Sequence, residues 1–241
     1  MSSGVLVVVP TYEEAESIGP LVSGVLDAQP QVDLLVVDDG SPDGTADLVQ
    51  QLSDVDDRVH LLRRSGKQGL GSAYRAGFAW GLERGYEQLV EMDADGSHRP
   101  QDLGALLAAS DAGADLVLGS RWVPGGGVVN WPWYRRAISR GGTWYAQLML
   151  GIDVRDVTGG YRVFRRSTLE RLDLDQVASQ GYCFQIDMTR RTLAAGLDVV
   201  EVPITFVERA HGRSKMSGAI VREALWRVTV WGLQRLLRRG S

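Results

Sequence analysis

The chain of 241 residues has one cysteine, three histidines and no surplus of positive charge, and each shortage closes off a class of function. A single thiol, Cys183, excludes an internal disulfide framework and any cysteine-based zinc site, and reads as a small buried hydrophobe. Lys and Arg number 26 against 30 Asp and Glu, a net charge of −4 that gives no sign of a nucleic-acid partner. No apolar run approaches the roughly 20 residues that span a bilayer. Residues 5–10 read as a first strand rather than as a secretory signal. The expected place is therefore the cytoplasm, with any membrane contact peripheral and made from that side. At 44% apolar and 23% charged, the composition is that of a folded globular protein with a sizeable core.

Strand-like runs occur at 5–9, 34–37, 59–62, 89–92, 116–118 and 199–206. Helical periodicity occurs at 18–27, 46–52, 71–84, 101–109, 135–150 and 185–195. Their alternation predicts an α/β protein with βαβ units around a mostly parallel, Rossmann-like sheet flanked by helices. Two acidic clusters stand at strand ends. Leu34-Leu35-Val36-Val37 runs into Asp38-Asp39-Gly40-Ser41-Pro42-Asp43-Gly44-Thr45, and Leu89-Val90-Glu91-Met92 runs into Asp93-Ala94-Asp95-Gly96. Ligands of open α/β sheets bind outside the carboxyl ends of the strands. Carboxylates gathered there repel unless a cation sits among them, and hard oxygen ligands suit Mg²⁺ or Mn²⁺ held jointly with substrate phosphates. Asp39, Asp93 and Asp95 are the candidates for holding a metal and a nucleotide diphosphate. Asp43 and Gly44 read instead as turn and helix-cap chemistry.

Gly69-Leu70-Gly71 lacks a third glycine, Tyr74 standing in its place, and reads as a loop entering a helix rather than a dinucleotide fingerprint. Pro124-Gly125-Gly126-Gly127 reads as a hinge-like loop. His98 and His211 read as structural. Two segments mix aromatics with arginines: Trp131-Pro132-Trp133-Tyr134-Arg135-Arg136 with Trp144, Tyr145 and Leu148-Met149-Leu150, and an amphipathic stretch from Met216 to Arg239 carrying Trp226 and Trp231. Each alone could be a packed helix with a basic face, but together they point to a membrane surface.

Pro10-Thr11-Tyr12-Glu13-Glu14, Val36 to Thr45, Met92-Asp93-Ala94-Asp95, Gly119-Ser120-Arg121, Gly181-Tyr182-Cys183-Phe184-Gln185 and Gly212-Arg213-Ser214-Lys215, in that order, resemble the polyprenol-phosphate mannose synthases. These belong to glycosyltransferase family 2 and have a GT-A fold. The resemblance spans nearly the whole chain and is greatest to the actinobacterial enzymes. It implies inverting transfer of mannose from GDP-mannose to a polyprenyl phosphate with a divalent metal. Pro10, Tyr12, Glu14, Val37 and Asp39 would hold the guanosine of the donor, and Asp93, Ala94 and Asp95 the metal and sugar. Arg121, Arg209 and Lys215 would meet phosphates, with Asp93, Asp95 and Arg121 forming the catalytic set. Arg121, Arg135 and Ser139 match positions for the acceptor phosphate. Some relatives carry a glutamine metal ligand where this chain has Ser97, so a hydroxyl or a water would fill that place. The implied organisation is a catalytic domain over 1–215, with an interfacial acceptor helix at about 130–150, and a membrane-surface helix over 216–241.

A phosphate monoester has its second pKa near 6 and is mostly a dianion at neutral pH. The acceptor thus needs positioning more than deprotonation, and no general base is assigned. Stabilising the departing GDP falls to a metal, and bringing two anions together falls to arginines. Two other functions stay open on sequence alone. One is a related transferase using UDP-glucose or another nucleotide sugar. The other is a non-catalytic nucleotide-binding membrane adaptor, against which the intact acidic and basic set argues.

Overall fold

The computed structural model describes residues 4–174, 177, 182–208 and 218–239. One seven-stranded sheet carries β1 (Val5–Thr11), β2 (Val32–Asp38), β3 (Val59–Arg63), β4 (Gln88–Glu91), β5 (Leu116–Ser120), β7 (Arg162–Arg165) and β8 (Val199–Pro203). Its order is β3-β2-β1-β4-β7-β5-β8, parallel except where β7 runs antiparallel to both neighbours. A two-stranded parallel sheet joins β6 (Gly127–Val129) to β9 (Thr205–Val207). The helices are α1 (Ala15–Ala28), α2 (Thr45–Ser53), α3 (Leu70–Glu83), α4 (Leu103–Asp111), α5 (Trp133–Leu150), α6 (Arg166–Arg171), α7 (Tyr182–Ala194) and α8 (Gly218–Arg239).

The period-two alternation of strand side chains splits the core in two. Leu6, Val8, Leu35 and Val37 face a layer with Tyr74 and Phe78 of α3, Ala146 of α5 and Val228 of α8. Val7, Val9, Leu34 and Val36 face the opposite layer, with Ile18 and Val22 of α1, Val49 of α2 and Leu106 of α4. α3 lies so close to β1 that a Cβ at Gly77 would stand 2.4 Å from Val8 Cγ1. α8 packs on α5 and α7 and sinks Val228 into the core, so it is integrated with the sheet domain.

Among the strands, the structure departs from the sequence reading in three places. The single strand expected over 199–206 is two strands in different sheets. Proline at 203 has no N–H to continue a ladder, and Ile204 N donates to Ser120 O as the chain leaves for β6. β6 itself grows from the expected glycine loop. There Gly126 is required by close approach, since a Cβ would lie 2.4 Å from Ser120 O. β7 is the third, a short strand with an arginine at either end. Arg162 is wholly buried yet donates to Gly159 O at 2.7 Å, Val157 O at 2.9 Å, Gln185 O at 2.8 Å and Thr189 Oγ1 at 3.0 Å.

Candidate active site

The loops after β1, β2 and β3 are tied into one surface at the carboxyl edge of the sheet. Asp38 accepts from Thr11 Oγ1 at 2.9 Å, from the N–H groups of Gly40 and Ser41 at 3.1 and 2.9 Å, and from Ser41 Oγ at 2.5 Å. Asp43 accepts from Thr45 N at 3.1 Å and Thr45 Oγ1 at 2.6 Å, and from Ala15 N at 3.1 Å. It therefore serves the start of α2, with Gly44 at the cap position (φ 86°). Asp39 holds the third loop: Oδ1 pairs with Arg64 at 2.7 Å and Oδ2 accepts from Gln68 N at 3.1 Å. Tyr12 faces this loop, with Lys67 Nζ 4.0 Å from its ring centroid. Glu14 N donates to Thr45 Oγ1 at 3.0 Å, and its carboxylate accepts from Ser17 Oγ at 2.9 Å. Pro10 pairs with Val37 in register. The Val37 side chain is buried, and its main chain lies in the ladder between β1 and β3.

β4 delivers Asp93 and Asp95 to the same edge. Asp93 N donates to His98 Nδ1 at 3.0 Å, and His98 Nε2 lies 3.9 Å from Asp93 Oδ2. Burial lowers the pKa of His98, so the imidazole is neutral with its proton on Nε2, and it stacks on Tyr161 at 4.9 Å. Tyr74, from α3, donates its hydroxyl to Asp93 Oδ1 at 3.3 Å. Burial, with the Asp93 charge adding to it, holds that phenol well above its usual pKa and keeps it a donor. Asp95 Oδ1 accepts both the N–H of Ser97, at 3.0 Å, and its hydroxyl. Ser97 is 1% exposed and orients Asp95 from within the turn. Among the described residues, no three His, Cys, Asp or Glu side chains are grouped to hold a metal. Two carboxylates of hard-oxygen type, each fixed by neighbours, fit a Mg²⁺- or Mn²⁺-class ion that draws its remaining ligands from phosphate and water. Ala94 between them is buried.

Below this turn, Glu91 pairs in register with Arg162, whose Nε lies 3.9 Å from Oε2. Burial pushes the Glu91 carboxyl up to about 8 against the opposing Arg162 charge.

Two of the predicted phosphate-binding arginines, Arg121 and Arg135, have carboxylate partners. Arg121, at the end of β5, is 6% exposed and grips Asp156 bidentately, Nε to Oδ2 and Nη2 to Oδ1 both at 2.6 Å, with Thr158 Oγ1 at 3.0 Å. Asp156 thus engages Nε and Nη2 of the guanidinium. Arg135, in the first turn of α5, pairs with Glu208 and lies over Trp131. Ser139 follows one turn on, its Oγ buried and without a hydrogen-bond partner. β9 connects the two halves of the site: Val207 N donates to Ser97 O at 3.1 Å, and Glu208 follows directly. Arg209, Lys215, His211 and Gly181 lie outside the described residues.

Sequence pattern alone assigns no site role to Tyr74, Asp156, Trp131 or Glu208. Trp131 stands there as part of an aromatic patch and Tyr74 in the place of a third glycine, while Asp156 and Glu208 have no local signal. Asp156 is 35 residues from Arg121, and Glu208 is 73 from Arg135.

The model of the family described as "Glycosyl transferase family 2" matches residues 6–173. A polyprenol monophosphomannose synthase of Mycolicibacterium smegmatis is 56% identical over 236 residues, 98% of this chain and 89% of the relative. An undecaprenyl-phosphate mannosyltransferase of Micrococcus luteus is 58% identical over 230 residues, 95% and 94% of the two chains. Among solved structures, glucosyl-3-phosphoglycerate synthase from Mycobacterium tuberculosis, in complex with Mn²⁺, UDP-glucose and phosphoglyceric acid, superposes with a TM-score of 0.69 at 20% identity. That alignment covers 95% of this chain and 79% of the other, and it shows a shared GT-A fold.

Proposed function

The chain belongs to glycosyl transferase family 2, and from that membership we propose that this glycosyltransferase moves mannose from GDP-mannose to a polyprenyl phosphate with inversion, releasing GDP. The observation that carries this reading is near-full-length identity to two enzymes named for mannosyl transfer to prenyl phosphates.

In the proposed site the guanosine rests on Pro10, Tyr12, Glu14, Val37 and Asp39, on the surface that Asp38 and Asp43 stitch together. Asp93 and Asp95 would hold the divalent metal, which would offset charge developing on the leaving diphosphate. His98 holds the Asp93 main chain, Tyr74 its carboxylate, and Ser97 the carboxylate of Asp95, so neither must reorganise as charge moves. Arg135 and Ser139 receive the acceptor phosphate, displacing Glu208. Arg121 stands behind them, anchored by Asp156. Arg209 and Lys215 complete the donor-phosphate set in this reading. The acceptor is already ionised, so no residue needs to remove a proton from it.

No helix among the described residues is long and apolar enough to cross a membrane. α5 and α8 expose Trp133 (80%), Trp226 (70%) and Leu237 (74%). In the proposed arrangement this face rests on the cytoplasmic surface of the membrane and presents Arg135 at headgroup level.

The test is incubation with labelled GDP-mannose, a polyprenyl phosphate and Mg²⁺ or Mn²⁺, followed by extraction of the lipid phase. Label in a mild-acid-labile lipid, with β configuration at the anomeric carbon, is the expected result. Consumption of UDP-glucose in preference to GDP-mannose would overturn the donor assignment.

A further inference from the structure

Beside the acceptor region lies a cleft of about 220 Å³ lined by Trp122, Arg140, Thr143, Trp144, Gln147 and Arg155. Four of these residues come from α5 at spacings of three and four, which places them along one face of the helix. Trp122 directly follows Arg121. Arg155 is held by its main chain, since its N–H donates to Glu201 Oε2 at 2.8 Å. Arg140 and Arg155 are exposed, and neither side chain has a carboxylate partner among the described residues. The Arg140 guanidinium lies 4.7 Å from the Trp122 ring centroid. Thr143 is 4% exposed and its hydroxyl has no hydrogen-bond partner, nor has the Trp122 indole N–H.

The polar groups left without partners here are overwhelmingly donors. A guanidinium and an indole N–H can only donate, and a threonine hydroxyl donates readily. Two like charges facing one cleft are costly until an anion joins them. An acceptor-rich, doubly charged group meets every one of these needs, and a phosphate fits the planar guanidinium fork. The outer wall is Trp144, 65% exposed, and one turn further along lies Leu148, 62% exposed. An apolar wall beside an anion-seeking floor suits a phosphate that carries a hydrocarbon tail.

We propose that this cleft is a second phosphate-binding site, distinct from Arg135 and Ser139, which takes the headgroup of an anionic lipid. The ligand is a phosphate-bearing amphiphile, seated between Arg140 and Arg155 with its tail leaving past Trp144.

The experiment uses the full chain with saturating GDP and Mg²⁺, titrated calorimetrically with sub-micellar dihexanoyl phosphatidic acid and, separately, with inorganic phosphate. Wild type is compared with R140Q/R155Q, with T143V and with R136Q, an exposed arginine of α5 outside the cleft. The expected result is two classes of lipid site in wild type, one of them weakened at least about tenfold in R140Q/R155Q and less in T143V, and both kept in R136Q. Inorganic phosphate should bind that class far more weakly than the lipid. Identical isotherms for wild type and R140Q/R155Q would overturn the site, and equal losses in R136Q would reduce it to diffuse charge attraction. Equal affinity for inorganic phosphate would overturn the lipid assignment. Because the two arginines are exposed, unchanged melting of R140Q/R155Q is expected, and it separates lost binding from lost fold. Mannosyl transfer is measured separately, so failure of the proposed reaction would leave this result standing.

Discussion

The Arg135 guanidinium lies 4.1 Å from the centroid of the Trp131 ring. Trp131 is also met by Arg121, at 5.3 Å, and by Phe206, at 5.3 Å. One 7%-exposed indole thus meets both arginines of the proposed acceptor site, and each arginine is paired with an internal carboxylate. These carboxylates balance the two guanidinium charges.

Arg135→Ala should raise the acceptor KM or lower kcat, with GDP-mannose affinity intact. The expected cost is about 1.5–3 kcal/mol, as for a hydrogen bond to a charged group. Glu208→Gln should act in the opposite direction. This partly exposed pair contributes about 0.2–1 kcal/mol, so removing the competing charge should lower the acceptor KM by up to about fivefold. Acceptor kinetics in detergent, beside calorimetric donor affinity, check both. Loss of donor affinity in either variant would show that Arg135 serves the donor instead.

A second expectation concerns the buried pair beneath the metal turn. Arg162→Met deletes donors to three main-chain carbonyls and one hydroxyl, and leaves Glu91 without its cation. Glu91, pushed up to about 8, is largely protonated at neutral pH, so the loss lies in the buried acceptors left unpaired, at about 1–3 kcal/mol each. In a chain of this length the melting temperature should fall on the order of 10 °C. Adding Glu91→Leu should restore part of the loss, because the stranded carboxyl goes with it. Calorimetric melting of the single and double variants measures this, and a loss below about 1 kcal/mol in the single variant would count against the account.

The fold was legible where periodicity was strong. β1 and β2 are apolar on both faces and end in turn acids, and α1 and α3 repeat at helical spacing, so their existence and approximate bounds followed from pattern alone. β7 was hidden because arginines bound it, and only the tertiary partners of Arg162 make that tolerable. β9 was hidden inside what read as one long strand, because nothing local marks a change of sheet except Pro203. In the site, Asp93 and Asp95 were legible from their place after an apolar run. Their supports were not. Tyr74 reaches Asp93 across 19 residues, and the arginine partners Asp156 and Glu208 are farther still. Short-range pattern carries no record of such pairings. Cys183, read as a buried hydrophobe, is buried, and that burial raises its thiol pKa to about 12.

The membrane face is tested by side chains that are exposed in the folded protein. Deleting α8 would be a poor test, because Val228 belongs to the core and Trp231 packs against it. Trp133→Ala, Trp226→Ala and Leu237→Ala remove groups that are 80%, 70% and 74% exposed, so folding should be untouched. If each is partly buried in the interface at roughly 1–2 kcal/mol, the triple variant should bind anionic liposomes at least about a hundredfold more weakly. Binding by wild type should also fall with salt, as Arg136, Arg222 and Arg227 are screened. Co-sedimentation across a salt series measures both effects, and unchanged binding by the triple variant would leave α5 and α8 as ordinary surface helices.

The last expectation separates a ligand from its support in the metal turn. In Asp95→Asn the side-chain oxygen can still accept from the N–H and hydroxyl of Ser97, so the turn should keep its shape while one negative charge is lost. Mn²⁺ affinity in the presence of GDP should therefore drop sharply, and turnover should fall by orders of magnitude, since metal binding and diphosphate stabilisation are lost together. Ser97→Ala does the reverse: the charge stays but its orienting hydroxyl goes. Loss of such a supporting hydrogen bond typically costs about 10–100-fold in affinity or activity, so this variant should lie between wild type and Asp95→Asn. Raising the metal concentration should rescue Ser97→Ala, whose site is intact but loosely aimed, far better than Asp95→Asn, whose site lacks a charge. Electron paramagnetic resonance of bound Mn²⁺, read beside turnover across a metal titration, distinguishes the two. Near-normal turnover of Asp95→Asn at limiting metal would remove Asp95 from the metal site, and equal defects in both variants would make Ser97 a ligand in its own right.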